Sequence, residues 1–132
     1  MPEPPRPTNS ELEILRALWD LEAGTVRDVC DALTSSRGGE APGYTTVLKL
    51  MQIMTEKGLV TRDEKARAHV YRPKLAREKT QREIVGHLLD RVFSGSASQL
   101  MMQALASRGT SPEELRTLRQ LLDEYEKGEK KK

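Results

Sequence analysis

Apolar positions along this chain fall into two regimes, helical stripes that close on a hairpin up to Pro73 and helical stripes alone beyond it. Thr8-Asn9-Ser10-Glu11 matches a capping box, in which the threonine hydroxyl accepts from the third backbone N–H and the glutamate reaches back. The helix it starts carries Leu12, Ile14, Leu15, Leu18, Trp19 and Leu21 on one broad face, and Gly24 is expected to end it. Thr25-Val26-Arg27-Asp28 repeats the capping pattern, and Val26, Val29, Cys30 and Leu33 form an i, i+3, i+4, i+7 stripe for a second helix. Ser35 to Glu40 reads as a loop by composition. Pro42-Gly43 breaks the chain, and Thr45 or Thr46 is placed to start a third helix whose buried stripe is Val47, Leu50, Met51 and Met54. Lys57-Gly58 reads as its C-terminus. Two β-prone runs follow, Leu59–Arg62 and His69–Arg72, joined by Asp63-Glu64-Lys65-Ala66-Arg67. Helix, helix, loop, helix, hairpin is the order of a winged helix-turn-helix.

After Pro73 the pattern predicts three helices. Thr80 is placed to cap one bearing Ile84, Val85, Leu88, Leu89 and Val92, which Ser94-Gly95-Ser96 interrupts. Leu100, Met101, Ala104 and Leu105 mark the second, ended by Arg108-Gly109-Thr110. Ser111-Pro112-Glu113-Glu114 starts the third, whose apolar face is Leu115, Leu118, Leu122 and Tyr125. Three short helices with almost no aromatic residues cannot bury their stripes on one another in about fifty residues, so pairing with a second copy is expected. The expected fold class is therefore mainly α, a winged helix-turn-helix of three helices and a β-hairpin wing followed by a three-helix dimerisation region. The expected divisions are a flexible segment over residues 1–7, a winged-helix domain over 8–75, a helical dimerisation domain over 76–126 and a charged tail over 127–132.

Composition narrows the function. The 132 residues contain one Trp, one Phe and three Tyr. No stretch approaches the roughly 20 apolar residues that span a bilayer, so a soluble, cytoplasmic protein without membrane insertion is expected. Cys30 is the only cysteine, which excludes an internal disulfide framework and any multi-cysteine metal site. Its place on the second helix's stripe reads as core rather than as a redox group. His69 and His87 fall in a strand and a helix of different subregions and make a poor metal site. The carboxylates have no Ser, Cys or His arrangement suited to catalysis, so no enzyme, no metal and no cofactor is expected.

The net charge is only +2, but it is unevenly placed. Thr8 to Gly43 holds three basic and seven acidic residues, a net of −4, whereas Tyr44 to Lys74 holds seven basic and three acidic, a net of +4. The basic stretch coincides with the third helix and the hairpin, as an electrostatic footprint for nucleic acid requires. On that helix Thr45, Thr46, Lys49 and Gln52 face away from the apolar stripe and are suited to the major groove of double-stranded DNA. Tyr44, with Lys65 and Arg67 on the wing, would contact flanking backbone or minor groove. Ile53 sits nearer the polar side, suited either to a thymine methyl or to packing against the wing. The competing reading is a protein-interaction module on a winged-helix scaffold that does not bind DNA.

Glu11-Leu12-Glu13-Ile14-Leu15 with Leu18-Trp19, then Tyr44-Thr45-Thr46-Val47 leading to Glu56-Lys57-Gly58-Leu59-Val60, and Tyr71-Arg72-Pro73 closing the wing, resemble the penicillinase-repressor (BlaI/MecI) family. The resemblance runs from about Thr8 to Tyr125. It implies a homodimeric repressor with a winged-helix DNA-binding domain, bound to an inverted-repeat operator and released by an inducing signal. It also implies an intertwined helical dimerisation domain, onto which Leu88, Val92, Leu100, Leu115, Leu118 and Leu122 map. In the best-known members a membrane sensor-protease triggers cleavage within that domain, near the position here of Ala97 and Ser98. Those members carry an asparagine with an aromatic neighbour there, whereas this chain has Ser94-Gly95-Ser96-Ala97-Ser98. The copper-responsive branch carries paired cysteines near its C-terminus, which this chain lacks.

Overall fold

A computed structural model describes residues 6–37 and 40–128, and in it the first capping box is closed in both directions. Glu11 N–H donates to Thr8 Oγ1 at 3.2 Å, and Thr8 N–H donates to Glu11 Oε1 at 2.9 Å. Helix α1 (Asn9–Leu21) follows and buries Ile14, Leu15, Ala17 and Leu18. It does not run to Gly24. Glu22, at φ 71°, ends it by donating its N–H to the Leu18 carbonyl, and Gly24 is drawn instead into a β-bridge with Tyr71. Most of the proline-rich start (Met1–Pro5) and the tail from Glu129 lie outside the described residues.

The second cap also closes reciprocally, Asp28 N–H donating to Thr25 Oγ1 at 3.1 Å and Thr25 N–H to Asp28 Oδ2 at 3.0 Å. Helix α2 (Val26–Arg37) buries Val26, Val29, Cys30 and Leu33, the four residues of its sequence stripe. It extends through Ser35, Ser36 and Arg37, which composition marked as loop. Arg37 reaches both the Glu13 carboxylate and the Glu40 carbonyl, contacts that local propensity does not contain. Gly38 and Gly39 lie outside the described residues.

Helix α3 (Tyr44–Lys57) begins one residue before the threonines, on Gly43 in extended backbone. Val47, Met51 and Met54 are fully buried, while Leu50 packs on the core only in part. A Schellman motif closes the helix: Gly58 adopts φ 83°, its N–H donates to the Thr55 carbonyl, and Leu59 N–H donates to the Met54 carbonyl. That left-handed turn needs glycine. It consumes Leu59, so strand β1 (Val60–Asp63) starts one residue later than its sequence run and pairs antiparallel with β2 (Val70–Pro73), Val60 facing Pro73. The hairpin gains a third rung beside it. Gly24 and Tyr71 exchange both backbone hydrogen bonds, at 3.0 and 2.8 Å, and the Tyr71 side chain is 1% exposed. A Cβ at Gly24 would stand 3.2 Å from Asp28 Cβ and from Leu21 Cδ1, so a larger residue there would press on the end of α1 and the start of α2. Helices α1 to α3 and the hairpin thus share one core, the expected winged helix-turn-helix.

Helix α4 (Arg77–Val92) begins three residues before the expected cap, and Thr80 lies inside it, buried, with its N–H on the Ala76 carbonyl. The cause is tertiary: Trp19 Nε1–H donates to the Leu75 carbonyl at 2.9 Å, and Arg77 pairs with Asp20 and lies over the Trp19 ring. The chain divides into two compact units, Met1–Glu83 and Ile84–Lys132. In the second, α5 (Ala97–Ser107) starts on Ser96, and α6 (Pro112–Glu126) on Ser111, whose hydroxyl accepts from Glu114 N–H. Glu114 does not return to Ser111; its carboxylate accepts from the Thr110 hydroxyl. No described residue from 84 to 128 is buried.

The buried polar contact of the first unit is Glu11, 2% exposed, whose Oε1 also accepts from Lys57 Nζ at 2.8 Å. Burial pushes the Glu11 carboxyl up, but the hydrogen bond from Lys57, the Thr8 N–H and the Lys57 charge outweigh it and hold the group below its ordinary value. A depressed carboxylate contributes stability that is present above its unfolded pKa and lost as pH falls through the folded one. Glu11→Gln is therefore expected to be less stable than the parent by about 1–2 kcal/mol at neutral pH. Urea unfolding should show that gap shrinking as pH falls below the ordinary carboxylate range; a gap unchanged down to acid pH would contradict the ion-pair account.

Candidate nucleic-acid interface

The polar face of α3 is a by-product of how narrowly the helix is buried. Val47, Met51 and Met54 take the inner side, which leaves Thr45, Lys49, Gln52, Ile53 and Glu56 exposed along one outer stripe, with Tyr44 and Thr46 exposed at its start. These spacings place the stripe on one face over three turns. Ile53 is 36% exposed beside Lys49 and Gln52. Tyr44 is 45% exposed, and the Arg27 guanidinium from the first turn of α2 lies over its ring at 5.0 Å. That neighbour is not visible in sequence, because the two residues come together only when α2 packs beside α3.

Charge on this face is sorted by pairing. Lys57 is held by Glu11 at 2.8 Å, Arg62 by Glu64 at 2.6 Å and Arg72 by Asp63 at 3.9 Å. Tyr71 and then Glu64 hydrogen-bond Arg62 and push its guanidinium pKa up, so it acts as a brace within the hairpin. Lys49, Lys65, Arg67 and Lys74 have no carboxylate partner among the described residues. All four are exposed. At the wing tip the Lys65 N–H donates to Asp63 Oδ1 at 2.9 Å, which fixes the backbone and leaves the ammonium free. Such an arrangement offers donors to an anionic polymer and has no group that would break a bond.

Leu88, Val92 and Leu122 are exposed at 40%, 63% and 53%, and Leu100, Leu115 and Leu118 are half-buried, all in the second unit. Ala97 and Ser98 are exposed in the first turn of α5. Cys30 is buried in the first unit's core, and burial pushes its thiol up, toward the unreactive form. Among the described residues no group of His, Cys, Asp and Glu is clustered to hold a metal, and no helix is long and apolar enough to cross a membrane.

A family model described as penicillinase repressor matches residues 7–124. The chain belongs to the penicillinase repressor family. Penicillinase repressors are DNA-binding transcriptional repressors and not enzymes. This member is 23% identical over 127 residues to the penicillinase repressor of Bacillus licheniformis, covering 96% of each chain. It is also similar to the solution structure of the DNA binding domain of the repressor BlaI, with 20% identity and a TM-score of 0.48 over 58% of this chain and 89% of that one.

The two faces of α3 predict opposite mutational behaviour. Lys49→Ala removes an exposed ammonium and should change stability by no more than about 0.5 kcal/mol while weakening DNA binding. Met51→Ala, at the bottom of the same helix, should cost about 2–5 kcal/mol. Thermal melts and gel shifts on both variants separate contact from scaffold; Lys49→Ala that binds as the parent does would remove the outer stripe from the interface.

Proposed function

We propose that this member of the penicillinase repressor family acts as a homodimer, with α3 of each copy in the major groove of one half of an inverted-repeat operator. Thr45, Thr46, Lys49 and Gln52 face base edges and adjoining phosphates, while Tyr44, Lys65 and Arg67 hold the flanking backbone or minor groove. The observation that carries this reading is the exposed polar stripe of α3, backed by a fully buried stripe, together with cations that no carboxylate neutralises among the described residues. A B. licheniformis relative named as a penicillinase repressor, of nearly equal extent, supports the same assignment.

Residues 8–75 would supply the DNA-binding domain and 76–126 the pairing surface. Helices α4 to α6 carry Ile84, Val85, Leu88, Val92, Met101, Met102, Leu105, Leu121, Leu122 and Tyr125 exposed, an amount of apolar surface that a second copy would cover. Truncation near Ala97–Ser98 would remove α5 and α6 from the DNA-binding unit and release the operator, whichever signal causes it; a sensor protease acting there is one such route. Such a repressor would work in the cytoplasm.

Affinity for genomic DNA fragments should fall steeply with salt, log K dropping by about 0.9 per phosphate contact for each unit of log salt. A protein-interaction module would show no such slope. Leu118→Glu places a charge in the pairing surface and should give a monomer by light scattering. Since one dimer on two half-sites gains by effective concentration, its operator affinity should fall by about 10²–10⁴ with the α3 face intact. A Leu118→Glu dimer at full affinity would contradict the pairing surface.

A further inference from the structure

We infer that Arg27, at the start of α2, is a further DNA-backbone contact, set in place by the Tyr44 ring and separate from both the α3 stripe and the wing. The inference rests on the DNA-binding reading above and adds to it a residue outside both of its contact elements.

Four observations converge on Arg27. It is exposed and lies off the Val26, Val29, Cys30 and Leu33 stripe, so packing makes no demand on it. Its guanidinium lies 5.0 Å from the centroid of Tyr44, the first residue of α3, which puts the charge at the end of the helix proposed to enter the groove. It has no ion pair among the described residues, whereas Arg37, Arg62, Arg72 and Arg77 of the same unit each face a carboxylate. The acidic neighbour Asp28 is already engaged, its Oδ2 accepting from Thr25 N–H at 3.0 Å, and Asp31, four residues on along the same helix, makes no ion pair with Arg27 among the described residues.

The ring contact has a chemical consequence. A guanidinium held over an aromatic ring spends no N–H on a carboxylate there, so the N–H edges that bind a phosphate in a bidentate fashion stay available. The ring also restricts a long, flexible side chain before DNA arrives, so less freedom is lost on binding. Tyr44 accordingly has two roles, as a flank contact and as the platform for Arg27. Lysine at position 27 would keep the charge and lose the planar fork.

The test is a salt titration of the full chain on two probes, a genomic fragment that the protein retains and a random-sequence duplex of about 30 base pairs. Arg27→Ala should weaken both by a similar factor, about tenfold, and flatten the salt slope by about 0.9 per bound copy, with the melting temperature unchanged. Arg27→Lys should keep the parental slope at an affinity between the two. Arg27→Gln retains the aliphatic stem, so it should give the alanine result even if the alanine variant folds poorly. After Tyr44→Leu, the further loss from Arg27→Ala should be smaller than in the parent, as coupling through the ring requires. Arg27→Ala or Arg27→Gln with the parental slope would overturn the inference, as would a loss confined to the genomic fragment. A parent protein that retains no genomic fragment and does not bind the random duplex would overturn the DNA-binding reading itself, a result distinguishable from failure at Arg27 alone.

Discussion

The backbone exchange between Gly24 and Tyr71 governs where the hairpin sits. Two strands of four residues are marginal alone, and here their second strand is fastened to the turn between α1 and α2 while the Tyr71 side chain is buried in the helical core. The other end of the assembly is fixed by Glu11, which joins the first turn of α1 to Lys57 in the last turn of α3. Lys57 immediately precedes the Gly58 turn into β1. Helix α3 and the wing are therefore positioned by the same two attachments, one through backbone hydrogen bonds and one through an ion pair with its carboxylate shielded from solvent.

That arrangement separates structural charge from available charge. Lys57 beside the core and Arg62 and Arg72 on the strands are neutralised in place, while Lys49, Lys65, Arg67 and Lys74 are left to water among the described residues. Because a surface pair contributes little to stability, leaving four such cations unpaired costs the fold little. The same charges act strongly on a polyanion, since each neutralised phosphate releases condensed counterions. The acidic half of the first unit lies mostly in α1 and α2, so the field is directional even though the whole chain carries only +2.

Much of the fold was legible because local signals agreed with packing. The Thr8 and Thr25 caps, the Val26, Val29, Cys30 and Leu33 stripe and the Gly58 terminus all form where the sequence places them. Three misplacements share a cause, a contact far away in sequence. Gly24 reads as a helix stop until Tyr71 pairs with it; Ser35 to Arg37 read as loop until Glu13 engages Arg37; Thr80 reads as a cap until Trp19 fastens Leu75 and α4 starts at Arg77. The outer residues of α3 were legible as a surface, because helical phase alone decides exposure. Arg27 was not, since its significance depends on a ring seventeen residues away.

The central claim is that the outer face of α3 and the wing tip together meet duplex DNA, while α1 lies away from it. Amide chemical-shift mapping of the labelled full chain, titrated with a 30-base-pair duplex at low salt, tests this most directly. The account predicts perturbations concentrated at Tyr44 to Ile53 and at Glu64 to Ala68, with Arg16 and Asp20 on exposed α1 positions unmoved. Shifts concentrated on α1, with α3 and the hairpin tip silent, would contradict it.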